Sequence, residues 1–147
     1  MSDQELEQGS GGPELSEDEI ETLRKGATGA GLLVAVSDRG FFDTFKEAGA
    51  MGKHLATAKG TSESAVIRRV ADGRGTGFGV RSSAAEIEQG TLDALRSATE
   101  LLQAKAPDEL PAYRTFVLEL VRSVSAAAGG GDEAEAAAIA KVEGVLG

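Results

Sequence analysis

The sequence predicts an all-α fold, a single-domain bundle of about six helices in which neighbouring helices run antiparallel. Hydrophobic residues make up 41% of the 147 residues and aromatic residues only 4%, so the core has to consist mostly of Ala, Val, Leu and Ile. Alanine is the strongest helix former. Apolar residues recur at helical spacing along most of the chain, and clusters of Gly or Pro separate these stretches. The length fits one hydrophobic core.

Residues 1–13 are expected to form a disordered acidic leader, because they are rich in Gly and acidic residues and have almost no apolar side chains. The helical domain is therefore expected to occupy residues 14–147. Its first helix opens at Ser16 and Glu19, which have the spacing of a capping box, and is expected to run to about Val36. Its apolar positions recur with a helical period: Ile20, Leu23, Ala27, Ala30 and Val34.

Glycines interrupt the first helix and delimit the next two. Three lie inside the first helix: Gly26, Gly29 and Gly31. Each costs up to about 1 kcal/mol relative to Ala, so another helix is expected to pass close by. A second helix is expected from about Phe41 to Ala58 and to end at Gly60. Ser62 is then expected to cap a short third helix, which carries Val66, Ile67 and Val70.

Two further helices are expected on either side of a proline-containing connection. Glycine at every second position from Gly73 to Gly79 disfavours helix and strand, so residues 72–82 are expected to be a flexible loop. Ser83 with Glu86 forms a second capping box and opens a long fourth helix. Residues 106–111 place a proline in the first turn of the fifth helix. That helix has the clearest apolar stripe and is expected to be central: Tyr113, Phe116, Val117, Leu120, Val121 and Val124.

The net charge of −9 is concentrated at the start of the chain. Residues 1–23 hold eight acidic residues and no basic one, whereas the remaining 16 acids nearly balance the 15 Lys and Arg. A balanced body offers no basic face for phosphates, so no nucleic-acid partner is expected. The longest apolar run, Ala30–Val36, is far shorter than the roughly 20 residues that span a bilayer. Without a signal-peptide pattern, a soluble cytoplasmic protein with no membrane span is expected.

The sequence contains no constellation of residues that is typical of an enzyme. It has no cysteine, which excludes disulfides, thiolate zinc sites and cysteine nucleophiles. His54 is the only histidine and has no partner at a motif spacing, so it is interpreted as an ordinary half-exposed residue of the second helix. Paired carboxylates for glycoside hydrolysis would need a cleft with aromatic platforms, in which this chain is poor. A catalytic function is therefore not expected.

Two helix starts are rich in carboxylates and provide the candidate metal ligands. Asp38 lies in the turn after the first helix, and Asp43 and Glu47 share a face of the second helix at i and i+4. Asp132 and Glu135 open the last helix and also have the spacing of a capping box. Oxygen ligands suit a hard cation such as Ca²⁺ or Mg²⁺, with Mn²⁺ and Zn²⁺ as further candidates. Helix capping explains the same acids without any ion.

The end of the chain repeats a pattern that also follows the first helix. An Ala/Val-rich helix, a Gly/Asp turn and an acidic helix start precede Ile139-Ala140 and Val145–Gly147, and Val34–Gly40 is the earlier counterpart. This pattern resembles the tellurite-resistance TerB-like family, although Arg39 interrupts the Ser-Asp-Gly turn of that family and Gly131 stands where an acid is expected. The resemblance implies an all-helical domain, metal binding by acidic side chains and a role in stress-associated assemblies.

The sequence therefore favours a non-catalytic helical domain that binds another protein or itself, with a divalent cation as the one candidate cofactor. A self-assembly module without a ligand is the first alternative, and it would form a multimer insensitive to chelators. The second is an anion or nucleotide binder that uses Gly73–Gly79 with Arg74 and Arg81. Phosphate-binding glycine loops usually follow a strand, whereas here a helical segment precedes the loop.

Overall fold

The computed structural model describes residues 15–37, 44–62, 64–72, 83–127 and 133–147, and these ranges form six α-helices and no strand. The all-α prediction is therefore confirmed. The predicted leader, residues 1–13, and most of the predicted loop, residues 73–82, lie outside the described residues. The helices are α1 (Glu17–Ser37), α2 (Thr44–Thr61), α3 (Ala65–Ala71), α4 (Ala84–Lys105), α5 (Leu110–Ala127) and α6 (Glu133–Leu146).

Three helix boundaries differ from the prediction. α2 continues through Gly60, since the amide of Ser62 still donates to the carbonyl of Ala58 over 3.0 Å. The predicted cap at Ser62 is wrong: Ser64 caps α3, and its hydroxyl accepts from the amide of Ile67. Both serines precede the apolar run, so spacing alone did not separate them. A 3₁₀ turn, Pro107–Glu109, comes before α5.

The core lies around α1, which packs against each of the other five helices. The predicted apolar stripe of α5 is buried throughout, which confirms the expected central position of that helix. Contacts of Gly26 with Leu95 and of Glu19 with Lys105 make α1 antiparallel to α4. The largest fully buried side chains come mainly from these three helices: Tyr113, Ile20, Leu23, Leu95, Leu102, Leu120, Val34, Val66, Val70, Val117 and Val121.

The glycines of α1 mark close helix approaches, as expected. A Cβ atom at Gly26 would lie 2.7 Å from the hydroxyl oxygen of Tyr113 and 3.0 Å from Cδ2 of Leu95. A Cβ atom at Gly31 would lie 2.7 Å from the sulfur of Met51. These separations are shorter than van der Waals contact, so glycine allows α4, α5 and α2 to approach α1.

Side chains satisfy several helix ends. The capping boxes of Ser16 with Glu19 and of Ser83 with Glu86 are both present. Arg24 of α1 donates to the carbonyls of Arg69 and Val70 at the end of α3, over 2.9 and 3.0 Å. These bonds bring side-chain donors to carbonyls of the last turn of α3, where the amide of Asp72 also donates to the carbonyl of Arg69 over 3.3 Å. They fix α3 on α1 and so position it beside α2 and α5. Among the described helices, none is long and apolar enough to cross a membrane.

Candidate functional site

A groove of about 450 Å³ lies between α2 and α5 and is closed at its base by α3. We call it the α2–α5 groove. The two helices run antiparallel along it, because His54 stacks on Phe116 at one end and Ser64 bonds to Glu109 at the other. Clefts between helices of a bundle are a common place for ligand sites, and this volume is within their usual range.

The α2 wall of the groove consists of His54, Thr57, Ala58 and Thr61. These residues are spaced at i, i+3, i+4 and i+7, so one face of the helix supplies all of them. Ala58 and His54 are half-buried, whereas the two threonines are exposed. The wall is therefore apolar and small towards its base and carries hydroxyl groups at its rim.

The α5 wall has the same construction, with Ala112, Thr115, Phe116 and Glu119 at helical spacing. Phe116 is buried and Ala112 half-buried, and Thr115 and Glu119 are exposed. Ile67 of α3, which is buried, completes the base. An apolar base between two hydroxyl-bearing rims can take an apolar side chain and still offer hydrogen bonds to a polar backbone or side chain.

One end of the groove contains a ring pair with an unsatisfied nitrogen. The imidazole of His54 stacks on Phe116 with ring centroids 5.5 Å apart and an interplanar angle of 30°. Nε2 of His54 is sealed from solvent and has no hydrogen-bond partner among the described residues. A buried polar atom without a partner costs about 1–3 kcal/mol, and such groups call for an explanation beyond packing.

One carboxylate lines the groove, and two cations lie about one helical turn beyond its lining residues. Lys53 lies one helical turn before Thr57, and Arg122 lies one turn after Glu119, so both continue the groove-facing sides of their helices. Both side chains are exposed, and neither forms an ion pair within the described part of the chain. Glu119 is the single carboxylate that lines the groove.

The far end of the groove is held by polar contacts around α3. The hydroxyl of Ser64 donates to Oε2 of Glu109 and accepts from the amide of Ile67. Nη1 of Arg68 donates to the carbonyl of Ser62 over 2.6 Å. On the outer side, a hydrogen bond from Lys59 holds the pKa of Asp72 below its usual range. These contacts tie α2, α3 and the start of α5 together, so the groove has fixed walls.

None of the predicted metal ligands has a side chain that the structure describes. Asp38, Asp43 and Asp132 lie outside the described residues. Glu47 lies within α2 and Glu135 within α6, but their side chains are also outside the description. In the ranges that are described, no group of three or more His, Cys, Asp or Glu side chains could hold a metal ion. The glycine loop Gly73–Gly79, with Arg74 and Arg81, is outside the described ranges too.

Sequence reasoning missed the α2–α5 groove. His54 was interpreted as an ordinary helical histidine, and the structure does place it half-buried on α2, but on Phe116 at the end of a cleft. The threonines at 57, 61 and 115 could have pointed to this site. They are β-branched and therefore weak helix formers, which suggests that they serve a purpose other than helix stability. Residue spacing could not predict that Thr57 and Thr61 of α2 line the same groove as Thr115 of α5, because the two helices are distant in sequence. No family model, no curated protein and no solved structure matches this chain.

Proposed function

We propose that this chain is a non-catalytic helical domain that acts by binding another protein, and that the α2–α5 groove receives a helical segment of that partner. The observation that carries the proposal is the pair of matched stripes, His54 to Thr61 on α2 and Ala112 to Glu119 on α5, over a common apolar base. Two antiparallel helices that leave a gap between them offer the packing surface that a third helix fills.

The dimensions and chemistry of the groove support a helix as the bound element. The α2 wall spans eight residues from His54 to Thr61, a rise of about 10 Å, which matches two turns of a docked helix. Helices that dock in such grooves insert apolar residues at i, i+3 or i+4 and i+7. Ala58, Ala112 and Ile67 leave room for these anchors, and the rim threonines can bond to polar residues beside them.

The unsatisfied nitrogen of His54 is consistent with a binding role. A leucine at this position would pack on Phe116 without leaving a buried polar atom, so the histidine lowers the stability of the free domain. Residues that lower stability are concentrated at binding sites.

A display selection of random peptides on the full chain tests the proposal. We expect selected peptides to share apolar residues at helical spacing and to shift the amide resonances of Thr57, Ala58 and Thr115. Thr115→Arg places a long cation at the rim and should weaken binding at least tenfold, about 1.4 kcal/mol. Gln103→Arg, at an exposed position of α4, adds the same charge elsewhere and should leave binding unchanged.

The proposal is wrong if no sequence is enriched or if the bound peptides shift resonances away from α2 and α5. Light scattering on the same sample addresses self-assembly, the alternative that also uses an exposed helix face. A monomer with and without EDTA would remove that alternative. A multimer that is insensitive to EDTA and is broken by Thr115→Arg would instead assign the groove to a second copy of the chain.

Cation binding at the helix starts is a second proposal, supported by the sequence pattern and by the TerB-like resemblance with its stress-related context. The pair with the most favourable spacing in the sequence is Asp43 and Glu47, at i and i+4. An ion bound there would stiffen the helix that forms one wall of the α2–α5 groove.

A further inference from the structure

The second half of α2, residues 51–61, contributes no buried side chain to the core. Each of the other five helices has at least three buried side chains. The apolar contacts of this stretch come from Met51, Leu55 and Ala58, which are only half-buried. We call residues 51–61 the groove half of α2, because four of them line the α2–α5 groove. Since helices in folded proteins depend mainly on the burial of apolar surface, the groove half is held less firmly than the helices around it.

Two glycines weaken the helix in the same stretch. Gly52 and Gly60 are exposed, and outside the neighbouring backbone of α2 no described atom lies within 4 Å of the Cβ position at either residue. They therefore do not allow a close helix approach, in contrast to Gly26 and Gly31 of α1. Each of the two reduces the helix equilibrium by up to about fivefold relative to alanine, or about 1 kcal/mol.

The polar contacts that fix the walls of the groove lie at its α3 end and do not extend along the groove half. Within the described ranges, the side chains of residues 51–61 form one polar contact with the rest of the bundle, an ion pair of 2.5 Å between Lys59 and Asp72. Both side chains are more than half exposed, and such pairs add little stability. His54 stacks on Phe116, but its buried Nε2 has no partner among the described residues. Few contacts therefore have to break for the groove half to leave α5.

Incomplete burial, glycines at open positions and sparse polar contacts coincide in the groove half. We propose that the groove half of α2 opens as a separate unit, by local unfolding while the core around α1 stays folded, and that a bound partner helix closes it. The closure rests on the proposed function, because the partner is the helix that fills the α2–α5 groove. Segments with few buried apolar contacts open at a lower free energy than the core of the same protein. A partner that packs on both walls binds only the closed form and shifts the equilibrium towards it.

Native-state hydrogen exchange on the full chain, followed by NMR, tests the separate opening. We expect the amides of Leu55, Thr57 and Ala58 to be at least tenfold less protected than those of Leu95 and Val117, which are fully buried on α4 and α5. Exchange of the α2 amides should also depend less on urea, because local opening exposes little surface. Equal protection of the two groups, with the same dependence on urea, overturns the inference.

Substitution of the open glycines distinguishes local opening from unfolding of the whole domain. Gly52→Ala and Gly60→Ala should each raise the protection of the α2 amides by up to about fivefold. Gly144→Ala is the matched control on α6, since Gly144 is also exposed and has nothing within 4 Å of its Cβ position. It should raise the protection of Val117 and leave that of Leu55 unchanged. If Gly52→Ala and Gly144→Ala have equal effects on Leu55, the groove half does not open on its own and the inference is wrong.

A peptide from the display selection tests the closure and separates it from the proposed function. At a hundredfold excess over its Kd, a peptide that binds only the closed form should raise the protection of Leu55, Thr57 and Ala58 about a hundredfold. If a peptide binds the groove without this rise, the inference fails and the proposed function stands. If no peptide is selected, the proposed function fails together with the closure, whereas low protection of the α2 amides in the parent protein still supports the separate opening.

Discussion

The hydroxyl of Tyr113 donates a hydrogen bond of 2.7 Å to the main-chain carbonyl of Leu23 and so joins α5 to α1 across 90 residues of sequence. Both residues are fully buried. The hydroxyl lies over Gly26, where a side chain would collide with it. Phe116 and the other groove residues of α5 lie on the same helix as Tyr113. This bond therefore also fixes the position of the α5 wall of the α2–α5 groove relative to α1.

Tyr113→Phe should destabilise the domain by about 0.5–1.5 kcal/mol, the net contribution of a typical intramolecular hydrogen bond. The ring still fills the core, so the helical content should not change. Urea unfolding followed by circular dichroism measures the difference. Tyr113→Leu is the contrasting variant, which loses the ring as well and should cost more. Equal stability of Tyr113→Phe and the parent protein would mean that the bond contributes nothing.

Above pH about 10, the free energy of unfolding should fall more steeply with pH in the parent protein than in the Tyr113→Phe variant. Burial raises the pKa of the Tyr113 phenol far above its ordinary value near 10. A raised pKa in the folded state favours the neutral form, so its stabilising contribution is complete below pH about 10 and is lost as the pH rises further. Because Tyr113 is the only tyrosine and tryptophan is absent, phenolate absorbance reports this one group. If phenolate absorbance rises before the protein unfolds, burial does not keep the Tyr113 phenol neutral in the folded state.

Gly26→Ala should destabilise the protein although alanine is the better helix former. The new methyl group would lie 2.7 Å from the hydroxyl of Tyr113, so α5 has to move or the bond to Leu23 has to break. Gly60→Ala is the matched control on α2, since nothing lies within 4 Å of its Cβ position. It should stabilise the domain by up to about 1 kcal/mol. Melting temperatures that rise in both variants would show that α1 and α5 can separate without cost.

His54→Leu should raise the free energy of unfolding by about 1 kcal/mol, because it removes a buried nitrogen that has no partner among the described residues. The leucine keeps an apolar contact with Phe116. His54→Gln retains a polar group at the same position and should give no comparable gain in urea unfolding. Loss of affinity for a groove-bound peptide, together with the gain in stability, would fit a residue retained for binding. A destabilised His54→Leu variant would mean that the ring stack outweighs the unsatisfied atom.

Local patterns in the sequence predicted the helices well, because helix starts depend on neighbours in the chain. The bonds between Ser16 and Glu19 and between Ser83 and Glu86 form as their spacing requires. The sequence predicts Ser62 as the cap of α3 and the structure has Ser64, because both serines can bond to an amide that follows them. The difference depends on Glu109, which holds the Ser64 hydroxyl from a distant part of the chain.

The candidate site was less predictable because it is made by contacts between distant segments. His54 and Phe116 are far apart in sequence, and no spacing rule relates a histidine on α2 to a phenylalanine on α5. Among the sequence features, only the glycines indicated contacts between helices that are distant in sequence. Gly26 and Gly31 predicted that helices approach α1, without indicating that Tyr113 and Met51 would be the neighbours. The predicted cation ligands remain a prediction, and solution measurements are needed to test them.

A thermal melt of chelated protein against Ca²⁺, Mg²⁺, Mn²⁺ and Zn²⁺ tests those ligands. An ion that binds only the folded state stabilises it by about 2.7 kcal/mol at a hundredfold excess over its dissociation constant. We expect a saturable rise in melting temperature with one of these ions, and its loss in the double variant Asp43→Asn with Glu47→Gln. The double variant Asp93→Asn with Glu100→Gln, which removes two exposed acids of α4, is the matched control and should keep the response. If no ion raises the melting temperature, Asp43 and Glu47 act only on the start of α2. A response that survives their substitution would move the site to Asp132 and Glu135, where the same pair of amide substitutions can be made.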